Sequence, residues 1–282
     1  MTTHRYRIAG HHIEICFAAD NNNPSLLPSF EPFRQQGERD NTSPDGQLLF
    51  RLTVDDQLRP IPKDQRERIR DFDTGNGITR VDRLSDGGYQ YIIRNISGGD
   101  CALLITDKNF ANCQCALNGN HNMRSFGLNN ALMLIYAFAA SHRQTLLIHA
   151  SLVRHNGRGY AFTAKSGTGK STHVSLWLKH IPNCDLMNDD NPIIRIHDDG
   201  KPYIYGGPWS GKTPCYRDVC AQLGAICRID RSPQNSVEPL TPIEAFATLL
   251  PACSSMKWDE VVFNNICQTV THVVETSDIY VL

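Results

Sequence analysis

This chain has no apolar run long enough to cross a bilayer as a helix. The longest helix-like stretch, Leu128 to Ala140, falls short of that length. Met1 to Ile8 is polar and carries no apolar segment of the secretory kind, so a cytoplasmic protein is expected. An excess of either charge is also missing. Lys and Arg number 28 against 29 Asp and Glu, a formal net charge of −1, so the chain lacks an electrostatic footprint for nucleic acid or an anionic membrane. Any anionic ligand must be held locally. The ten cysteines lack the spacing of a zinc or disulfide framework. Cys113 and Cys115 form the one close pair, no second pair accompanies them, and free buried thiols are expected. Internal repeats and low-complexity segments are absent. With 282 residues, 40% of them hydrophobic and 20% charged, the chain has the make-up of a soluble globular protein of one large or two smaller domains.

The first 125 residues read as β-rich. Arg5–Ala9, His12–Phe17, Leu48–Val54, Tyr89–Arg94 and Cys101–Thr106 have strand-like composition. Asp86–Gly88 and Ser97–Asp100 are turn signals between them, and 21–24 and 37–44 read as polar loops. Nothing in this half carries a catalytic pattern. It could shape a substrate site or an oligomer contact, and a homo-oligomer is left open. Leu128–His142 reads as a buried helix, apolar nearly all round. A boundary near it gives a β-rich domain over 1–125 and a second domain over 126–282. In the second, strand-like runs at 146–153, 159–163 and 193–196 are followed by helical stretches near 241–250 and 258–272, then by the apolar run Ile279–Leu282.

Within this second domain lies a loop suited to phosphate. Ala164-Lys-Ser-Gly-Thr-Gly-Lys-Ser-Thr172 follows the apolar run Gly159–Thr163 and precedes a helical stretch whose apolar face would be Val174, Leu176, Trp177 and Leu178. Strand, glycine loop and helix N-terminus form the context of a P-loop. Glycines let the backbone turn its N–H groups onto phosphate oxygens, and the helix start adds partial positive charge. Ser166, Gly167, Thr168, Gly169, Lys170, Ser171 and Thr172 are thus the candidate nucleotide-binding residues. Lys170 would reach the β- and γ-phosphates and the Ser171 hydroxyl would ligate Mg²⁺. Ala164 departs from the pattern, which calls for glycine there. Gly206-Gly-Pro-Trp-Ser-Gly-Lys-Thr213 fits the same pattern letter for letter, but Pro208 has no N–H and Trp209 is bulky where close backbone approach is needed. The first loop is preferred.

Phosphoryl transfer also needs a metal-holding acid and a base for the attacking hydroxyl. Asp189 and Asp190, in Cys184-Asp-Leu-Met-Asn-Asp-Asp-Asn-Pro192, lie far enough beyond Ser171 for one helix and a return strand. One could face Mg²⁺ and the other the acceptor; an Asx-rich turn is the alternative. His149 sits in the apolar run Leu146–Val153, tied by a short 154–158 turn to the strand feeding the loop, which brings it towards the phosphates. Lys212 offers a second cation for the transferring group. Arg195 and Arg217 are weaker candidates, and Cys215, Cys220 and Cys227, at helical intervals, read as core.

His149, Ser166–Thr172 and Asp189–Asp190, in that order, resemble the catalytic core of HPr kinase/phosphorylase. That family shares one P-loop superfamily with phosphoenolpyruvate carboxykinase, whose phosphate loop the Ser-Gly-Thr-Gly-Lys portion resembles. The segment 207–212 is similar to one in HPr-kinase-like proteins of peptide-modification pathways. The resemblance covers about residues 145–230 and implies an α/β P-loop domain of the HPr kinase/phosphoenolpyruvate carboxykinase type behind a β-rich N-terminal domain. It implies an ATP- and Mg²⁺-dependent kinase, with another purine nucleotide as an alternative to ATP. The acceptor would be a hydroxyl, a serine of a protein or peptide. By resemblance, Asp189 and Asp190 would supply the general base and the metal contact, either taking either role, with His149 hydrogen-bonded beside them. A kinase for a small molecule such as free serine, a phosphoenolpyruvate carboxykinase and a non-catalytic nucleotide-binding regulator are the alternatives.

Overall fold

The computed structural model describes residues 1–19, 21–36, 47–74, 76–165, 167–211 and 213–282. The loop expected at 37–44, together with Ser166 and Lys212, lies outside these. The chain divides into two compact units, Met1–Ala139 and Ala140–Leu282.

Nine strands of the first unit form one sheet: β1 (Thr2–Ile8), β2 (His11–Phe17), β3 (Arg34–Gln35), β4 (Leu48–Val54), β5 (Arg66–Asp73), β6 (Ile78–Leu84), β7 (Tyr89–Arg94), β8 (Asp100–Thr106) and β9 (Asn112–Leu117). Their order is β3-β1-β2-β4-β9-β8-β7-β6-β5, with β2–β4 and β4–β9 parallel. Helix α1 (His121–Ala139) lies over β8 and β9. It comes close at Gly127, where a Cβ would stand 2.7 Å from the Cys101 carbonyl oxygen. The division into units falls at the far end of this helix, so α1 packs with the strands before it.

The second unit contains β10 (Thr145–Leu147), β11 (Ala150–His155), β12 (Arg158–Thr163), α2 (Lys170–His180), β13 (Cys184–Asp190), β14 (Ile193–Ile196), β15 (Pro202–Tyr205), β16 (Cys220–Arg228), β17 (Glu238–Pro239), α3 (Pro242–Leu249), α4 (Glu260–Thr276) and β18 (Asp278–Val281). The sheet runs β10-β14-β15-β16-β12-β11-β13, with β18 joining β16 and β17. β12–β16 and β16–β18 are its parallel pairs; the other described pairs are antiparallel.

This overturns the expected fold class. Both sheets are large and mixed, with 39% strand against 28% helix, which does not fit a P-loop α/β domain. The reason is local. Two tight turns, Asn156–Gly157 and the one around Gly200, join β11 to β12 and β14 to β15 as hairpins, so helices do not alternate with strands as an α/β sheet requires. The run 146–153 is not one strand either. It breaks at Ile148–His149, β10 pairing with β14 and β11 entering between β12 and β13.

Helix α2 packs over β11, β13 and β12. Val174 and Trp177 face Val153 and Phe162, whereas Leu176 and Leu178 are exposed, so the apolar face is narrower than the composition suggests. Beneath it, Asp185 of β13 is gripped by Arg154 of β11 at 2.9 and 3.0 Å and by Arg217 at 2.7 Å. Burial alone would raise the Asp185 carboxyl, but the hydrogen bonds and charges of the two arginines hold it below its ordinary value. A carboxyl lowered on folding adds stability above its unfolded pKa, and that stability is lost as pH falls through the folded value. Asp185→Asn should therefore cost about 1 kcal/mol near neutrality, and its melting temperature should fall less than that of the parent on acidification.

Candidate active site

The two strands flanking β11 fix the site. β11 runs antiparallel to both β12 and β13, so those two point the same way and end at the same edge. The phosphate-loop candidate leaves β12 and the acids sit at the end of β13. Two strand spacings, about 10 Å, separate these ends. The start of β11 fills the gap, with Ala150 opposite Asp190 and Ser151 opposite Asp189. His149 immediately precedes it, its backbone N–H donating to the Ala252 carbonyl at 2.7 Å.

In the loop, the Thr168 N–H donates to the Lys165 carbonyl at 3.1 Å. Gly169 caps α2 with a φ of 116°, a left-handed conformation that glycine adopts without the strain a Cβ would add. Intrahelical bonding begins with His173 donating to the Gly169 carbonyl. Helix geometry leaves the N–H groups of Lys170, Ser171 and Thr172 without intrahelical acceptors, and this amide cluster suits an anion. The Arg231 guanidinium donates to the Gly167 carbonyl at 2.8 Å, tying the loop to the segment after β16.

Lys170, His149 and Asp190 form a chain. Lys170 Nζ lies 2.6 Å from His149 Nε2, and His149 Nδ1 lies 3.0 Å from Asp190 Oδ1. An ammonium only donates, so Nε2 accepts from Lys170, which puts the ring proton on Nδ1, 3.0 Å from Asp190 Oδ1. Burial lowers the Lys170 pKa, opposed by the charges of Asp190 and Asp189. Asn191 Nδ2 donates to the other Asp190 oxygen at 2.7 Å. Asp189 is more buried, 6% exposed, and accepts from Ser151 Oγ at 2.7 Å. Asp189, Asp190 and the exposed Ser171 hydroxyl are hard oxygen donors of the kind Mg²⁺ takes alongside phosphates and water. Among the described residues, no three His, Cys, Asp or Glu side chains cluster as a metal site, so any Mg²⁺ here would complete its shell with phosphate oxygens and water.

The second glycine-rich segment takes a different role. The Gly206 and Gly211 N–H groups donate to the Val219 and Asp189 carbonyls, at 3.0 and 2.6 Å. Trp209 is buried and its carbonyl accepts from Asn188 Nδ2 at 2.9 Å. No helix begins after Thr213 as a phosphate loop needs; the next element is β16. The segment buttresses the acids. Asn188 also accepts from the Asp190 and Asn191 N–H groups at 3.1 and 2.9 Å, fixing the turn that presents Asp190. Sequence reasoning missed Ser151, Asn188 and Arg231, because their partners are set by strand register and chain return. Arg217 lies against Asp185 instead of the acids. Of the three cysteines expected in the core, Cys215 is buried, whereas Cys227 is half-buried and Cys220 exposed, both on β16 and not on a helix.

No family model matches the chain, and no curated protein is significantly similar to it. No helix among the described residues is long and apolar enough to cross a membrane.

Proposed function

We propose that the chain is a cytoplasmic, ATP- and Mg²⁺-dependent kinase that transfers the γ-phosphoryl group to the hydroxyl of a serine, in a chain or free. The observation that carries this is the Lys170–His149–Asp190 chain beside the α2 N-terminus. It brings the free N–H groups of a helix start, a cation and a carboxylate close together. The motif-level resemblance of His149, 166–172 and Asp189–Asp190 to the HPr kinase catalytic core points the same way.

In this reading the amides of 170–172 hold the β- and γ-phosphates and Lys170 turns from His149 to them. Ser171 and Asp189 would hold Mg²⁺, which offsets charge on the phosphates. Asp190, more exposed than Asp189 and oriented by His149 and Asn191, is the base. The acceptor oxygen forms its bond to the γ-phosphorus as the bond to the β,γ-bridging oxygen breaks. ADP leaves with the electron pair, and the hydroxyl proton passes to Asp190. His149, 3.0 Å from Asp190, packs against the carboxylate and helps hold it in place.

Saturable binding of ATP by the full chain, with acceptor-dependent release of ADP and a phosphorylated product seen by mass spectrometry, tests this. Absence of nucleotide binding sinks it. Placement of the acids supplies a second prediction. A Cβ at Gly211 would stand 2.7 Å from the Asp189 carbonyl oxygen and 3.2 Å from the Asp190 Cβ, so Gly211→Ala must push the acid turn aside. Displacement on that scale should lower kcat about 10²-fold, with ATP affinity retained. An unchanged kcat would show that the 206–213 segment does not position the acids.

A further inference from the structure

Beside His149, on the side away from Asp190's strand, a cavity of about 450 Å³ opens between the ends of β12 and β16, α3 and the 250–252 turn. Its polar lining comprises His149, Thr163, Lys165, Arg228, Asp230 and Thr248. Its size falls in the range of small-molecule sites, and it lies beyond the carboxyl ends of two parallel strands, where ligands of such sheets collect. Two features mark it as built for a ligand. Thr163 is 4% exposed and its hydroxyl has no hydrogen-bond partner, although buried polar groups are normally paired. Arg228 Nε donates to Asp230 at 3.1 Å and Nη1 to Thr248 Oγ1 at 2.9 Å, and Nη2 lies 2.9 Å from the same Asp230 oxygen. These hydrogen bonds use two of the five N–H donors of a guanidinium and leave donors on both terminal nitrogens for a carboxylate.

We propose that this cavity is the acceptor pocket and that its occupant is a free hydroxy α-amino acid such as serine. The proposal rests on the kinase reading above and selects the free acceptor over a serine within a protein or peptide. Arg228 takes the carboxylate, Asp230 the ammonium, and the Thr163 hydroxyl supplies a further hydrogen bond. His149 is shared between the cavity and the Asp190 contact, so the occupant's hydroxyl faces the transfer centre. A nucleoside in the cavity would leave that shared edge with nothing to phosphorylate.

Calorimetric titration of the full chain with L-serine, without nucleotide, is the test, accompanied by a separate titration with Mg²⁺ and a non-hydrolysable ATP analogue. Saturable L-serine binding is expected, weakened at least tenfold by Arg228→Met. Thr163→Val keeps the shape of the side chain and removes an unpaired hydroxyl, so it should melt no lower than the parent while losing about fivefold in L-serine affinity. Asp230→Asn should weaken L-serine more than glycerate, which lacks the ammonium and needs only Arg228. Absence of L-serine binding while the ATP analogue binds overturns the pocket and leaves the kinase reading standing. L-serine binding unaffected by Arg228→Met and Thr163→Val, or displaced by adenosine, also overturns it. L-serine binding that depends on Arg228 in a chain that binds no nucleotide sinks the kinase reading and preserves the amino-acid site.

Discussion

Lys170→Met should lower kcat for phosphoryl transfer by about 10²- to 10³-fold and weaken ATP binding, because it removes the one described cation in contact with His149 at the loop. Loss of fold is the competing explanation, and charge separates the two. Lys170 is partly desolvated, which disfavours its ammonium and lowers its pKa despite the nearby Asp190 and Asp189. A lysine lowered on folding binds fewer protons in the native than in the unfolded state over the window below its ordinary value. Native stability therefore rises with pH through that window. Methionine has no such cost. Lys170→Met should melt no lower than the parent at neutral pH and should lack the upward drift in melting temperature at alkaline pH. A variant that binds ATP as tightly as the parent would end the phosphate-loop assignment.

Asp190→Asn should leave ATP affinity within about twofold and lower kcat by about 10³-fold, in the range a general base contributes. The asparagine side chain occupies the same space but cannot take the hydroxyl proton at neutral pH. Asp189→Asn should differ in kind. Asp189 is buried against Ser151, and disturbing that pair should cost about 1–3 kcal/mol of stability as well as activity. If Asp189→Asn proves the more damaging to kcat at equal stability, the two roles are exchanged. If Asp190→Asn turns over at the parental rate, neither the base nor the proposed reaction stands.

The parts of this site that local sequence could specify were legible, and the parts set by strand order were not. Gly167 and Gly169 before an amphipathic helix read as an anion loop without the fold. The short Arg154–Arg158 turn joins β11, which His149 immediately precedes, to the strand feeding that loop. What failed was the inference from one strand–loop–helix unit to an α/β domain. β12, α2 and β13 are such a unit, but β11 lies between the two strands and runs against both. Nothing in the residues of 150–155 distinguishes a strand inserted there from one at an edge. The break at Ile148–His149 was hidden because 146–153 is apolar on both sides of it. Cys220 and Cys227 illustrate a wrong period: Ala221, Leu223 and Ala225 are buried alternately along β16, and the strand repeat overrides the cysteine spacing.

The formally perfect match at 206–213 lacks the structural context its pattern calls for. Its glycines serve close packing, Gly206 against the Arg217 carbonyl and Gly211 against that of Asp189, and no helix follows to add N-terminal amides. The imperfect match at 164–172 has that helix.

The most direct test is a crystal structure of the full chain with Mg²⁺ and a non-hydrolysable ATP analogue. The β- and γ-phosphates should sit on the amides of 170–172, with Lys170 turned from His149 onto them and Mg²⁺ held by Ser171 and Asp189. Phosphates seated at 206–213, or a γ-phosphate out of reach of Asp190, would contradict this.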